Sequence, residues 1–148
     1  MLVETIDQDI KKAMLAKDDA RLRGLRAIKS ALLLARTEKG ASDVISEETE
    51  LKVLQKLIKQ RKESAEIYQT QNRDDLYQIE KEEMQVIEAY LPQQLSGEEI
   101  TAYVQKIIQK TGATSVKDMG KVMGAANKEL AGKADGKTIS EIVKQLLQ

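Results

Sequence analysis

The 148-residue chain contains no cysteine and no histidine. Their absence excludes disulfides, zinc sites built from these residues, cysteine nucleophiles and a histidine general base. Phenylalanine and tryptophan are also absent, so the chain lacks an aromatic platform on which single-stranded bases stack. Lysine, tyrosine and carboxylate chemistry remains. No arrangement of these residues predicts a catalytic residue, a bound cofactor or a metal site.

Long apolar runs are absent as well. The longest run, residues 31–35, is far shorter than the roughly 20 residues of a membrane-spanning helix. The first residues have no apolar core of the kind that signal peptides carry. We therefore expect a soluble, cytoplasmic protein that makes no contact with membranes.

Charged residues are abundant, but 24 basic and 24 acidic groups cancel. A balanced chain has no overall field that attracts nucleic acid, so any such binding must come from a local patch. The basic groups of residues 92–148 are all lysines, eight in number, against six acidic groups. This region is where a local cationic patch is expected.

Every periodic segment has the spacing of a helix, and none alternates as a strand does. The sequence therefore predicts an all-α protein with seven helices. The only proline, Pro92, biases Leu91 away from helical conformation and predicts a domain boundary there. Residues 1–91 are predicted to form an N-terminal four-helix bundle, and residues 92–148 a smaller C-terminal three-helix domain.

Capping residues predict where the helices begin and end. A Ser-Gly-Glu-Glu capping box starts the fifth helix at Ser96, with Glu99 as its second member. The other predicted N-caps are Asp18, Ser46, Asn72, Ser115 and Asp135, and the predicted terminating glycines are Gly40 and Gly112. The four tyrosines fall in or beside apolar stripes and are predicted to be core residues: Tyr68, Tyr77, Tyr90 and Tyr103.

Four charged residues interrupt the apolar stripes of the N-terminal bundle. They are Lys29 and Arg36 on the second helix, Arg61 on the third and Glu83 on the fourth. A charge at a seam between helices requires a partner, because an isolated one costs several kcal/mol. We predict that Glu83 pairs with one or more of the cations. A catalytic carboxylate–lysine site is one alternative, and basic side chains that reach solvent at the bundle edge are another.

The sixth predicted helix separates apolar from basic residues on a helical wheel. Its buried face is predicted to contain Met119, Val122, Met123, Ala126 and Leu130. Lys117, Lys121 and Lys128 lie opposite, with Gly124 between them. Lysines supply charge, and a glycine lets a partner's backbone approach, so this face suits a phosphate backbone. The alternative is a solvated lysine face whose glycines are required by helix packing.

The segment Gly132–Thr138 resembles a nucleotide-binding Walker A loop, but it has three residues between its glycines where four are needed. It is better explained as a turn followed by the Asp135 cap. Lys133 and Lys137 lie near the positive N-terminal end of the seventh helix, where an anion is stabilised. Lys144 shares a helix face with Lys137, and these three lysines are predicted to extend the lysine face of the sixth helix.

Seven blocks, in order and with matching spacing, resemble the YqeY-like proteins. They are residues 12–14, 25–26, 59–64, 72–76, 88–92, 117–123 and 132–137. The C-terminal part is also similar to the tail domain of the B subunit of the glutamine-dependent amidotransferase that acts on misacylated tRNA. The matching residues there are Gly120, Val122, Met123, Gly132, Lys133, Ala134, Lys137, Val143 and Leu146.

The resemblance implies a role with tRNA, because that tail helps to hold the tRNA while other domains perform the chemistry. It implies that Lys121, Lys133 and Lys137 contact tRNA. It also attaches to the family a carbon–nitrogen ligase activity with glutamine as amide donor. The catalytic cradle, the metal-binding cysteines and the glutaminase machinery of the amidotransferase are absent from this chain, so its own residues do not support that activity.

The sequence thus leaves three hypotheses. The first is a non-catalytic accessory module that binds tRNA, structured RNA or a tRNA–enzyme complex, but not DNA, by backbone and shape. Its predicted contact residues are Lys117, Lys121, Gly124, Lys128, Lys133, Lys137 and Lys144. The second is a protein-interaction adaptor for an amidotransferase or synthetase complex, and the third is an amide-forming or amide-cleaving enzyme.

Overall fold

The computed structural model describes residues 1–38 and 44–148. Within these ranges the regular structure consists of α-helices and one 3₁₀ turn, with no strand, so the all-α class is confirmed. The helices are α1 (Leu2–Leu15), α2 (Asp19–Glu38), α3 (Glu47–Thr70), α4 (Asp74–Glu88), α5 (Gly97–Thr111), α6 (Met119–Glu129) and α7 (Gly136–Leu147). The 3₁₀ turn, Val116–Asp118, directly precedes α6. The predicted stop at Gly40 lies outside the described residues.

The chain divides into two compact units, Met1–Leu91 and Pro92–Gln148. The division falls where Pro92 places the boundary in the sequence. The first unit contains α1 to α4 and the second contains α5 to α7. Each unit has its own apolar core.

The core of the first unit is built from apolar residues of all four helices. Its buried members are Ile6, Ala13, Leu25, Ile28, Leu32, Leu54, Leu57 and Ile87. Helix α2 crosses α4 closely at Gly24, where an added Cβ would lie 2.7 Å from Cβ of Val86. This close approach explains why a glycine occupies the interior of α2, where it costs about 1 kcal/mol relative to alanine.

Three of the four charged residues within these stripes, Lys29, Arg61 and Glu83, form ion pairs between helices. Nε of Arg61 lies 3.0 Å from Oε2 of Glu83, and both side chains are mostly buried. The predicted pairing of Glu83 is therefore confirmed for Arg61, and Arg23 approaches the same carboxylate at 3.7 Å. Lys29 instead pairs with Asp7 of α1, with its Nζ 2.7 Å from Oδ1. No ion pair joins Arg36 to another described residue.

Most of the predicted caps are confirmed. The backbone N–H groups of Arg21 and Thr49 donate to the side chains of Asp18 and Ser46. The capping box of α5 is complete, since Ser96 Oγ accepts from the Glu99 N–H and the Glu99 carboxylate accepts from the Ser96 N–H. Two further predictions are confirmed: Asp135 caps α7, and Gly112 ends α5 with the left-handed φ of 69°.

Two predicted caps are wrong. Asn72 has a positive φ of 56° and belongs to the turn that ends α3, so α4 begins after Arg73, which makes no side-chain cap. An asparagine that adopts the left-handed conformation to end one helix does not have the extended backbone that an N-cap needs. Ser115 makes no cap either, because the 3₁₀ turn intervenes before α6.

Gly24→Ala is expected to destabilise the first unit by about 1–2 kcal/mol, because overpacking against Val86 outweighs the gain in helix propensity. Gly124→Ala, at an exposed position of α6 with no atom near the new Cβ, is expected to stabilise the protein by about 0.5–1 kcal/mol. Urea denaturation followed by circular dichroism measures both changes. A stabilised Gly24→Ala variant would contradict the close approach of α2 and α4.

Lys17 also has a positive φ, 56°, at the end of α1. A side chain with a Cβ is strained in this conformation, so Lys17→Gly is expected to raise the free energy of unfolding by about 1 kcal/mol. The neighbouring Ala16 has right-handed φ and ψ, and Ala16→Gly should instead lower it by about 0.5–1 kcal/mol. Equal effects of the two substitutions would contradict the left-handed conformation of Lys17.

Candidate RNA-binding surface

All seven residues predicted to contact RNA are exposed in the second unit. Lys121, Gly124 and Lys128 lie on α6, and Lys117 lies in the 3₁₀ turn before it. Lys133 lies in the connection between α6 and α7, while Lys137 and Lys144 lie on α7. We call Lys117, Lys121, Gly124 and Lys128 the α6 stripe.

The α6 stripe faces solvent because the opposite side of the helix is buried. Val122 and Ala126 are fully buried in the core of the second unit, and Met119 and Met123 pack against that core. With 3.6 residues per turn, Lys121 and Lys128 fall on nearly the same line, about 10 Å apart along the axis. The 3₁₀ turn changes the direction of Lys117 by only about 20° per residue, so this lysine stays beside the others.

The lysines of α7 form a second exposed face. Ile139, Val143 and Leu147 are buried in the same core as the apolar side of α6. Lys137 and Lys144 lie on the other side of α7, with Glu141 between them at helical spacing. Lys137 and Lys144 are therefore exposed on α7, and their extension of the α6 stripe stays a prediction.

The turn that carries Lys133 is held by hydrogen bonds to the start of the second unit. The backbone oxygens of Lys133 and Gly132 accept from Leu95 N–H at 2.9 Å and from Nε2 of Gln94 at 2.6 Å. The Asp135 carboxylate accepts from the Thr138 N–H at 2.6 Å and so occupies the N-terminus of α7. An anion at this helix end would have to compete with that carboxylate. Any attraction of a phosphate to this region would therefore come from the ammonium groups of Lys133 and Lys137 and not from the helix terminus.

No lysine of Pro92–Gln148 forms an ion pair with a residue that the structure describes. Asp118 accepts a hydrogen bond from the Thr114 N–H, and this bond, with a smaller contribution from the charge of Lys121, holds the pKa of Asp118 below its usual value. The cations of the α6 stripe are therefore open to a solvent-borne anion.

The glycines of α6 have no packing role. A Cβ added at Gly120 or Gly124 meets no atom within 4 Å. The alternative that helix packing requires these glycines is therefore wrong for both positions. Each glycine weakens the helix by about 1 kcal/mol relative to alanine, and nothing within the second unit compensates for that cost.

Sequence reasoning missed a third cationic face, on α5. Lys106 and Lys110 are exposed, at i+3 and i+7 from Tyr103, whose side chain is 36% exposed. The prediction that all four tyrosines are core residues is therefore wrong for Tyr103. The spacing of this group away from the buried Ile100 and Val104 could have identified it.

Comparison with known proteins assigns the family. The sequence model of the family described as Yqey-like protein matches residues 3–147. The chain is a member of the YqeY-like family. This YqeY-like chain is 33% identical to "Altered inheritance of mitochondria protein 41, mitochondrial" of Kluyveromyces lactis over 140 residues, which cover 93% of this chain and 71% of that protein.

Two further relatives carry the same name. The Vanderwaltozyma polyspora protein is 35% identical over 121 residues, 77% of the YqeY-like chain and 64% of the relative. The Clavispora lusitaniae protein is 40% identical over 91 residues, 61% of the chain and 51% of the relative. The alignments thus span only about half to two thirds of the length of these two proteins.

The names of these relatives correct one prediction. All three are called mitochondrial, so the predicted cytoplasmic localisation is contradicted. That prediction depended on the absence of an apolar signal-peptide core, which concerns the secretory route alone and does not separate the cytoplasm from mitochondria. Among the described helices of the YqeY-like chain, none has the length and apolar character to span a membrane. The described residues also contain no group of acidic side chains placed to hold a metal ion.

The pKa of Asp118 tests the arrangement at the start of α6. Lys121→Ala is expected to raise this pKa part of the way toward its ordinary value, because the backbone hydrogen bond from Thr114 remains. Lys128→Ala, about two turns further along α6, should leave it unchanged. An NMR titration of the carboxyl carbon measures the shift.

Because the folded-state pKa of Asp118 lies below the unfolded value, its contribution to stability is present at neutral pH and is lost as pH falls through the folded pKa. Asp118→Asn should flatten the acid limb of the stability profile. An ordinary pKa in the wild-type protein would contradict the hydrogen bond.

Proposed function

We propose that the second unit binds the phosphate backbone of structured RNA through the α6 stripe. The observation that carries this proposal is the combination of three exposed lysines without ion pairs and an open glycine on one side of α6. Lys133 and Lys137, near the end of that helix, supply further contacts when the RNA extends past Lys128. Lys144 lies about 10 Å further along α7 and contributes to the outer edge.

The chemistry of the stripe fits backbone recognition and not base reading. Lysine is a compact charge with three rotatable donors, which suits phosphate oxygens, whereas bidentate recognition of bases favours arginine, asparagine and glutamine. Gly124 leaves a gap between Lys121 and Lys128 in which a sugar–phosphate chain can approach the helix backbone. A phosphate contact of this kind positions an RNA without reading its sequence.

The preference for tRNA rests on the similarity of the second unit to the amidotransferase tail. In that enzyme the tail helps to hold the tRNA. Lys133 and Lys137 match its pattern, and the resemblance implies that Lys121 contacts tRNA as well. If the contact depends on the shape of the RNA backbone, duplex DNA and unstructured RNA should compete poorly. We therefore propose an accessory role, in which the protein holds a folded RNA without acting on it chemically.

Substitution of the three lysines tests the proposal. Lys117→Ala, Lys121→Ala and Lys128→Ala combined should weaken tRNA binding and lower the slope of log affinity against log salt by about 3, since each lost phosphate contact lowers it by about 1. Fluorescence anisotropy with labelled tRNA at about 50 to 200 mM salt measures this slope. The matched control is Lys56→Ala, Lys59→Ala and Lys62→Ala on α3, three exposed lysines of the first unit. Equal slopes for both triple variants would rule out the α6 stripe.

Gly124→Ala separates binding from folding. This variant is expected to be more stable than the wild type, yet to bind tRNA several-fold more weakly because the methyl group fills the gap between the lysines. The measurement pairs urea denaturation with the same anisotropy titration. Undiminished affinity would show that no backbone enters this gap.

A further inference from the structure

Among the large apolar side chains of the described residues, the most exposed lies at the end of α1. Leu15 is 87% exposed and the neighbouring Met14 is 55% exposed, whereas Ala13 is buried. We call residues Met14–Lys17 the α1 tip. Exposure of two adjacent large apolar side chains has no explanation in the core of the first unit, so the tip is a candidate contact surface.

Hydrogen bonds hold the α1 tip in a fixed shape. The N–H groups of Ala16 and Lys17 donate to the backbone oxygens of Lys12 and Met14 at 3.0 and 3.2 Å. The Asp18 N–H donates to the oxygen of Ala13 at 3.0 Å and closes the turn into α2. Leu15 therefore projects from a preformed turn, and a partner meets it without having to order the chain first.

The residue at the left-handed position of this turn is unusual. Lys17, with φ of 56°, occupies a place where glycine has no strain and asparagine is the common substitute. Strained backbone positions of this kind cluster at functional sites. A lysine at this strained position is explained if its ammonium group contacts a partner at the tip.

Cations surround Leu15. Lys11 and Lys12 precede it by four and three residues, which puts them on either side of it one turn earlier on α1. Together with Lys17 they form three exposed cations, and none pairs with a carboxylate within the described part of the chain. The two nearest acidic residues in sequence belong to the start of α2, where Asp18 caps the Arg21 N–H and Asp19 lies in the first turn.

We propose that the α1 tip docks reversibly on an anionic lipid surface, with Leu15 and Met14 entering the headgroup region and the three lysines contacting the anionic headgroups. Apolar insertion combined with a basic ring is the pair of signals that peripheral membrane binding uses. The tip offers two large exposed apolar side chains, far less than a stable protein–protein interface buries. A membrane needs no spanning helix for such a contact. The sequence-based expectation of no membrane contact considered only spanning helices and signal peptides.

The proposal is independent of RNA binding, because the tip belongs to the first unit and the α6 stripe to the second.

Vesicle co-sedimentation tests the proposal with the full chain. Vesicles of phosphatidylcholine with about 30% phosphatidylserine should bind the protein at low salt, and vesicles of phosphatidylcholine alone should bind much less. Leu15→Gln should lower the partition coefficient about tenfold, as expected for loss of one inserted leucine. The matched control is Leu34→Gln, because Leu34 is 61% exposed on α2, more than four helical turns from the tip in sequence. This control should leave the coefficient unchanged.

Lys17→Gly separates the contact from folding. It should make the protein more stable, as described above, while lowering its affinity for the anionic vesicles, a combination that a purely structural lysine would not produce. The proposal is overturned by any of three results: no sedimentation of the wild type with anionic vesicles, equal sedimentation with neutral vesicles, or equal losses for Leu15→Gln and Leu34→Gln. Circular dichroism of each variant checks that it is folded.

Discussion

The candidate RNA surface depends on the burial of one face of α6 in the core of the second unit. Full burial of a side chain such as Val122 contributes about 1.5–3 kcal/mol, whereas a pair of like charges one turn apart on a helix costs only about 0.2–0.5 kcal/mol. Burial therefore decides the orientation of α6, and the lysines face solvent whatever their mutual repulsion. The same core holds the apolar side of α7, which leaves Lys137 and Lys144 exposed as well.

The candidate RNA surface contains the two exposed glycines of α6, Gly120 and Gly124. In the first unit, Gly24 is required where α2 crosses α4, so its low helix propensity is offset by the close approach of the two helices. Gly120 and Gly124 have open space around them and no such compensation. A helix with lysines and unpacked glycines on one side is less stable than one with alanines at the glycine positions. The proposed contact with an RNA backbone gives a physical reason for this composition.

Much of the fold was predictable from the sequence because capping residues and apolar periodicity, which are local features, mark the helices of this protein. Ser46, Ser96 and Asp135 each precede an amphipathic segment, and their side chains make the expected caps. The role of Asn72 was not predictable in the same way. This residue could either end α3 or cap α4, and the local sequence does not decide between the two. The approach of Gly24 to Val86 depends on how α2 and α4 cross, and no local sequence pattern predicts that crossing.

The candidate site was predictable in part. Helical periodicity predicts that Lys121, Gly124 and Lys128 share an exposed face, because the opposite face is apolar. The same periodicity cannot predict how the lysines of α7 lie relative to those of α6, since that depends on three helices sharing one core. The exposure of Leu15 escaped prediction as well, because an apolar residue at a helix end has the same sequence pattern whether or not a neighbour covers it.

NMR mapping with tRNA tests the central claim most directly. Backbone amide shifts of the isotope-labelled protein, recorded as unmodified tRNA is added, would report which helix meets the RNA. The account predicts the largest changes at Lys117, Lys121, Gly124 and Lys128, decreasing toward the buried face of α6. Changes confined to the first unit, or none at tRNA concentrations that saturate other tRNA-binding modules, would contradict it.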